Sequence, residues 1–227
     1  MAAFMNLEDF GEFARQVHAA LDALNQAREA ALTQARQLTR ASAYAIRAIH
    51  RGESDQADAF LEQARALAEQ LQGLAQTYPQ IFYAGYTQDA LKEYAEATLT
   101  CAIIENRPLP TPEAMHLDYA IYLNGLAEVV GELRRRCLDI LRQGYSAEAE
   151  RLLGWMDEIY NLLVTLDYPD ALTNNLRRQT DLVRGIVERT RGDLTLSLRE
   201  ERLQQALERL AQRLPETTDE PAPDTRL

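Results

Sequence analysis

From about residue 7 to residue 51 the chain keeps one unbroken helical pattern of apolar and polar positions, and Gly52 is placed to end it. Ser54 is suited to cap a second helix that continues to about residue 77, where Tyr78 and Pro79 break it. A third helix starts near Thr87 and reaches about residue 105. Residues 106–112, with Pro108, Pro110 and Pro112, form the clearest punctuation in the sequence. A fourth helix spans roughly 117–143 and stops at Gly144. Ser146 caps a fifth, up to about residue 166, and Pro169 occupies the first turn of a sixth that Gly192 closes. Beyond it Leu203, Leu207, Leu210 and Leu214 recur at intervals of four, three and four, a narrow apolar stripe on a charged helix. That stripe is suited to dock on the body or on another subunit. With short connections throughout, the pattern predicts an all-α protein built as a single-domain antiparallel bundle. The expected division is a helical domain over 1–192, an amphipathic helix over 193–214 and a disordered polar tail over 215–227.

Composition agrees with helices. A hydrophobic content of 46% over 227 residues is ample for a core, and no proline precedes Pro79. No apolar run reaches the ~18 residues a membrane span needs, so no membrane partner is expected. The first residues, Met1 to Met5, lack the basic and apolar regions of a signal peptide. Cys101 and Cys137 lie on apolar stretches without metal-type spacing, which reads as reduced core thiols in a cytoplasmic protein.

Charge narrows the function classes. A net charge of −11 argues against indiscriminate nucleic-acid binding over the whole surface. Of the 24 basic residues only Lys92 is a lysine. Guanidinium forks suit bidentate phosphate contacts better than ammonium groups do.

Candidate chemistry lies on the third and fourth predicted helices. Glu93 and Glu96 are three apart, and Glu128 and Glu132 four apart, so each pair shares a helix face. If the two helices pack side by side, four hard oxygen ligands converge, as magnesium requires. In a chain with 35 acidic residues such pairs are usually a solvated face. Gly125 and Gly131 tilt the reading towards a site. Each costs about 1 kcal/mol in mid-helix relative to Ala, and glycine beside Glu128 lets another backbone come close.

Residues 30–52 contain no acid, and within them Arg36, Arg40, Arg47 and Arg51 fall in one narrow angular sector, with Tyr44 near its edge. Such a stripe suits a phosphate backbone and a stacked base. An ordinary face paired with acids from a neighbouring helix is the competing account. Arg177, Arg184 and Arg191, and the run Arg134, Arg135 and Arg136, read first as structural charges. The Glu113–His116 spacing matches one half of a di-iron motif, but the second copy is absent, which excludes that chemistry. No nucleophile-elbow serine or phosphate-binding glycine loop is present. Trp155, Tyr94, Tyr119, Tyr122 and Tyr160 read as core or interface aromatics.

Over about residues 30–194 the chain resembles the translin superfamily, specifically the translin-associated factor X branch and its prokaryotic relatives. The resemblance rests on Leu38-Thr39-Arg40 leading to His50-Arg51-Gly52, on Glu93-Tyr94-Ala95-Glu96-Ala97, and above all on residues 122–135. It implies a seven-helix fold, assembly into closed oligomeric shells, with a homo-oligomer expected for this chain, and binding of single-stranded RNA or DNA. In the factor X branch it also implies a magnesium-dependent endoribonuclease, with its carboxylates at the positions of Glu93, Glu96, Glu128 and Glu132. The eukaryotic catalytic subunit has Asp where Glu128 stands here, a methylene shorter.

The leading expectation is therefore a metal-dependent endonuclease for single-stranded or small structured RNA. Glu93, Glu96, Glu128 and Glu132 would ligate magnesium, with manganese as the alternative ion. Arg36, Arg40, Tyr44, Arg47 and Arg51 would hold the strand. A non-catalytic nucleic-acid-binding oligomer is one rival. Another is an all-α nucleotide pyrophosphatase, which uses Glu-x-x-Glu followed by Glu-x-x-Asp, whereas the second pair here is spaced by four.

Overall fold

The computed structural model describes residues 9–213. Among them are nine α-helical segments and no strand. Six are long: α1 (Phe10–His50), α2 (Ser54–Gln72), α5 (Gly85–Ile104), α6 (Tyr119–Leu141), α7 (Ala147–Val164) and α9 (Leu176–Ala211). The other three are single turns: α3 (Leu74–Thr77), α4 (Pro79–Phe82) and α8 (Asp170–Thr173). No helix among the described residues is long and apolar enough to cross a membrane.

Local chemistry sets several boundaries. Gly52 adopts φ +76° after α1, and the Glu53 N–H reaches back to the Ala48 carbonyl at 3.0 Å. This wrap needs a left-handed residue, and glycine takes that conformation without steric cost. At the start of α7 the Glu148 N–H donates to Ser146 Oγ at 3.2 Å, the expected cap. The proline-bearing connection between α5 and α6 is pinned to the body. Gln72 donates to the carbonyls of Met115 and His116, and the Tyr122 hydroxyl to that of Pro110.

In the packing, α1 lies against α2 and α5, α5 against α6, and α6 against α7 and α9, which also touch each other. Leu38, Leu91, Leu99, Ile103, Leu133, Leu152, Met156 and Leu176 form the centre of the core. A smaller cluster of Ala45, Ile49, Ala57, Ala97 and Cys101 fills the junction of α1, α2 and α5. Alanine lines that junction because the helices approach closely there. Cys101 and Cys137 are buried free thiols, each pushed up to about 12, chiefly by burial. Both are core residues, as expected.

The all-α architecture agrees with the sequence pattern, but three boundaries move. One is at the sixth helix, where left-handed Asn174 and Asn175 split the stretch expected from Pro169 into the turn α8 and the long α9. The second helix breaks at Gly73, and its last residues form the separate turn α3. More consequentially, the expected stop at Gly192 is absent, and α9 runs unbroken from Leu176 to Ala211. A mid-helix glycine costs only about 1 kcal/mol. Past it Leu194 is 1% exposed, and its burial outweighs that cost. The body therefore extends beyond residue 192. Farther along α9, Leu203, Leu207 and Leu210 are 55–61% exposed, so within this chain the stripe does not dock on the body. Leu214 and the tail over 215–227 lie outside the described residues, as does Leu7, where the first helix was expected to begin.

Candidate carboxylate centre

The site begins with a missing side chain. A Cβ added to Gly125 on α6 would lie 2.7 Å from Ala95 Cβ, 3.0 Å from the Lys92 carbonyl oxygen and 3.1 Å from the Glu96 nitrogen. Those atoms all belong to α5, so glycine at 125 is what lets the two backbones meet. The neighbouring Asn124 anchors the contact from the other side, donating to the Ala120 and Thr173 carbonyls at 2.8 Å each. Gly131 has no such role, because nothing lies within 4 Å of the Cβ it lacks. The expectation that both glycines admit a close approach holds for Gly125 alone.

One helical turn beyond Gly125, Glu128 faces Glu93 and Glu96 across the α5–α6 seam. One ligand oxygen from each of these three carboxylates lies within 4.8 Å of the others. All three are half-buried. Lys92 joins them, its Nζ 2.6 Å from Glu128 Oε1 and 3.5 Å from Glu93 Oε1. Gln179 on α9 approaches the same Glu128 oxygen at 3.4 Å.

Crowding of like charge shows in the titration behaviour. Burial first, then the charges of Glu128, Glu93 and Glu132, push Glu96 up to about 8. Glu93 is also raised, mainly by burial and against the attraction of Lys92. Burial works against the Lys92 charge, yet its hydrogen bond to Glu128 and the nearby carboxylates outweigh burial and raise it. The centre thus holds more negative charge than its own cation balances.

Glu132 is oriented differently. Its carboxylate accepts a 2.6 Å contact from His50 Nε2 at the end of α1 and lies 3.6 Å from Arg135. Hydrogen bonding to His50, opposed by burial, holds Glu132 below the usual carboxylate range. It does not share the three-carboxylate ligand set, although its charge is felt at Glu96. The His50 side chain is 3% exposed, and the Arg136 guanidinium donates to the His50 carbonyl at 3.3 Å.

Lys92 and His50 are the residues that site reasoning from sequence passed over. Lys92 carried a signal, being the single lysine among 24 basic residues and adjacent to Glu93. His50 stood within the segment that carries the resemblance, but nothing local tied it to Glu132, 82 residues away.

The arginine stripe of α1 is exposed as a whole but is not uniform. Arg36 and Arg40 have no ion-pair or hydrogen-bond partner for their side chains among the described residues. Arg51 is paired with Glu53 at 2.6 Å. Arg47 donates to the Ala43 carbonyl and lies over the Tyr44 ring at 4.7 Å, while Phe60 sits 5.2 Å from that ring. One face of Tyr44 is therefore already occupied. The other basic sets are engaged structurally. Arg177 pairs with Asp167 and Arg191 with Asp157, Arg184 contacts Tyr160, and Arg134 meets Asp193 at 2.9 Å.

No protein-family model matches the chain. It is 33% identical over 186 residues to an uncharacterized protein of Methanocaldococcus jannaschii, with 81% of this chain and 82% of that one covered. Among solved structures it is similar to AfC3PO from Archaeoglobus, crystallised alone and as a complex with duplex RNA. The TM-score is 0.74 in both cases, with 32% identity over 81% of this chain and at least 95% of the other. Apo-NeC3PO from Nematostella, at 22% identity and a TM-score of 0.71, covers 87% of this chain and shares its fold.

Proposed function

The chain belongs to the translin superfamily, and on that premise we propose that it is a magnesium-dependent endoribonuclease with its active centre at the α5–α6 seam. The observation that carries the reading is the convergence of Glu93, Glu96 and Glu128, whose ligand oxygens lie within 4.8 Å of one another. Three hard oxygen ligands converging from two helices are the donor set that would hold a magnesium ion once the side chains draw closer. An all-oxygen donor set suits magnesium or manganese better than softer metals.

Glu93, Glu96 and Glu128 would hold the ion. When bound, it supplies Lewis-acid activation of water and charge neutralisation at the scissile phosphate. Glu132, kept ionised by His50, stands next to the set. From there it would accept a proton from an attacking water. Lys92 places a compact positive charge where an anionic phosphate must approach.

RNA is the proposed substrate class. Support comes from the duplex RNA bound to the 32%-identical AfC3PO and from the unpaired Arg36 and Arg40 on α1. Single-stranded RNA stays the expected form, with duplex RNA and single-stranded DNA as the comparisons. We take the protein to act as a homo-oligomer. The exposed apolar residues Phe10, Phe13 and Leu21 on α1, and Leu203, Leu207 and Leu210 on α9, offer faces that self-association would cover. The proposed location is the cytoplasm.

The test is incubation of purified protein with labelled single-stranded RNA, duplex RNA, single-stranded DNA and nucleoside triphosphates, each with magnesium, manganese or chelator. RNA fragments that need the metal and vanish in Glu93→Gln and Glu128→Gln variants are expected. RNA binding without fragments would make the protein a non-catalytic binder. Pyrophosphate release from the triphosphates would make it a nucleotide pyrophosphatase.

A further inference from the structure

Next to the carboxylate centre lies an open cavity of about 530 Å³, within the usual size of small-ligand sites. Lys92 and Gln179 belong to both, so the cavity and the centre share a wall. Its lining has a consistent chemistry. Asn174 and Asn175 bring carboxamides with donor and acceptor in one plane, while Gln88 already donates to the Phe82 carbonyl at 2.8 Å and Gln179 approaches Glu128 at 3.4 Å, which leaves their carbonyl oxygens as acceptors. Tyr83 contributes a 64% exposed ring held edge-on against Phe82. Arg178 adds a guanidinium with no side-chain partner among the described residues.

Two of the carboxamides are held there at a cost. Asn174 and Asn175 have φ of 51° and 63°, consecutive left-handed residues at the junction of α8 and α9. Asparagine tolerates this conformation better than most residues, but two in succession are uncommon. The arrangement turns the chain into α9 and leaves both side chains exposed and without hydrogen bonds among the described residues. Exposed on the rim of the cavity, both carboxamides are open to a ligand as well as to solvent.

From this lining we infer that the cavity is a subsite for one nucleotide unit of the RNA strand, next to the phosphate that meets the carboxylate centre. Carboxamides match the donor and acceptor edges of bases. Tyr83 gives a stacking surface, and Arg178 a fork for a flanking phosphate. Asp89 is also in the lining, and Lys92, shared with Glu128 and Glu93, feels its charge least of the three, so Arg178 is the cation left to meet a phosphate there. This inference rests on the nuclease reading for the identity of the strand but not for the existence of the pocket.

The experiment is calorimetric titration of the full chain, in magnesium, with AMP, CMP, GMP, UMP and ribose 5-phosphate. Nucleotides should bind about 10-fold or more tightly than ribose 5-phosphate, as expected where stacking contributes. Tyr83→Ala and Arg178→Gln, both at exposed positions, should each weaken binding about 5-fold or more. Asn174→Gly combined with Asn175→Gly keeps the left-handed backbone and should reduce discrimination among bases. AMP should also displace labelled RNA from the parent protein. Equal binding of nucleotides and ribose 5-phosphate, or unchanged binding in both exposed-site variants, overturns the subsite. AMP that binds without displacing RNA overturns its assignment to the strand. Failure of RNA cleavage with nucleotide binding and RNA displacement intact would remove the nuclease reading and leave the subsite standing.

Discussion

Lys92 Nζ lies 2.6 Å from Glu128 Oε1, so the single lysine of an arginine-rich chain offsets part of the negative charge of the carboxylate cluster at the α5–α6 seam. Lysine suits this place because its charge is compact. With both side chains about one quarter exposed, the pair is partly desolvated, and removing one partner leaves the other in poor company.

The first prediction follows from that contact. Lys92→Met keeps the aliphatic stem and deletes the charge, leaving Glu93, Glu96 and Glu128 to repel one another. At pH 7.5 in chelator the variant should be less stable by about 1–3 kcal/mol. Adding magnesium should then raise its melting temperature by more than it raises that of the parent. Equal shifts in the two proteins would mean the three carboxylates do not take the ion.

Glu96 gives a pH dependence with a definite sign. Its carboxyl is pushed from an ordinary value of 4.5 up to about 8 in the folded protein. Between these values the unfolded chain has lost the proton and the folded one retains it, so stability falls as pH rises through this window. Glu96→Gln cannot ionise and escapes the loss. In chelator the variant should be more stable than the parent at pH 8.5, by up to about 5 kcal/mol for the full shift, and approach it at pH 5. A parent-to-variant difference that does not change between those pH values would contradict the burial of this carboxyl among its neighbours.

The two glycines of α6 should behave in opposite ways. Gly125→Ala drives a methyl to 2.7 Å from Ala95 Cβ, against backbone atoms only slightly farther off. The helices must part, and overpacking of that kind costs about 1–3 kcal/mol. Cleavage should fall with it, since Glu128 is carried on the displaced helix. Gly131→Ala meets nothing within 4 Å and should stabilise the protein by up to about 1 kcal/mol through helix propensity alone. Chemical denaturation of both variants separates a close approach from an incidental glycine.

That contrast also marks how far the sequence could be read. Helix ends at Gly52 and Gly144 and the cap at Ser146 were legible because the signals act within a few residues. The carboxylate spacing was legible for the same reason, and Gly125 was correctly singled out. Gly131 looked equivalent, because no pattern within one helix tells which face its neighbour covers. Gly192 looked like a stop, but the burial of Leu194 is a tertiary property. The contact from His50 to Glu132 joins residues 82 apart and diverts a carboxylate from the set it was expected to join. Likewise, the partners of Arg177 and Arg191 come from distant acids that no helical wheel places.

The stripe on α1 yields the last prediction, because its arginines are not equally available. Arg36 and Arg40 have no side-chain partners among the described residues, whereas Arg51 is already paired with Glu53 and Arg47 lies over Tyr44. An arginine that must leave an ion pair to meet a phosphate gains less than one that is free. Replacing Arg36 and Arg40 together with Gln should therefore weaken single-stranded RNA binding and lower the slope of log affinity against log salt by about 1.4, for two lost contacts at about 0.7 each. Replacing Arg47 and Arg51 together should lower it by less. Tyr44→Ala should leave the slope almost unchanged, since the ring carries no charge. Binding measured from 50 to 300 mM salt distinguishes the three variants. If the Arg36 and Arg40 variant keeps the parent's slope, the strand does not run along α1, and its phosphates must be met by Arg178 and Lys92 beside the carboxylate centre.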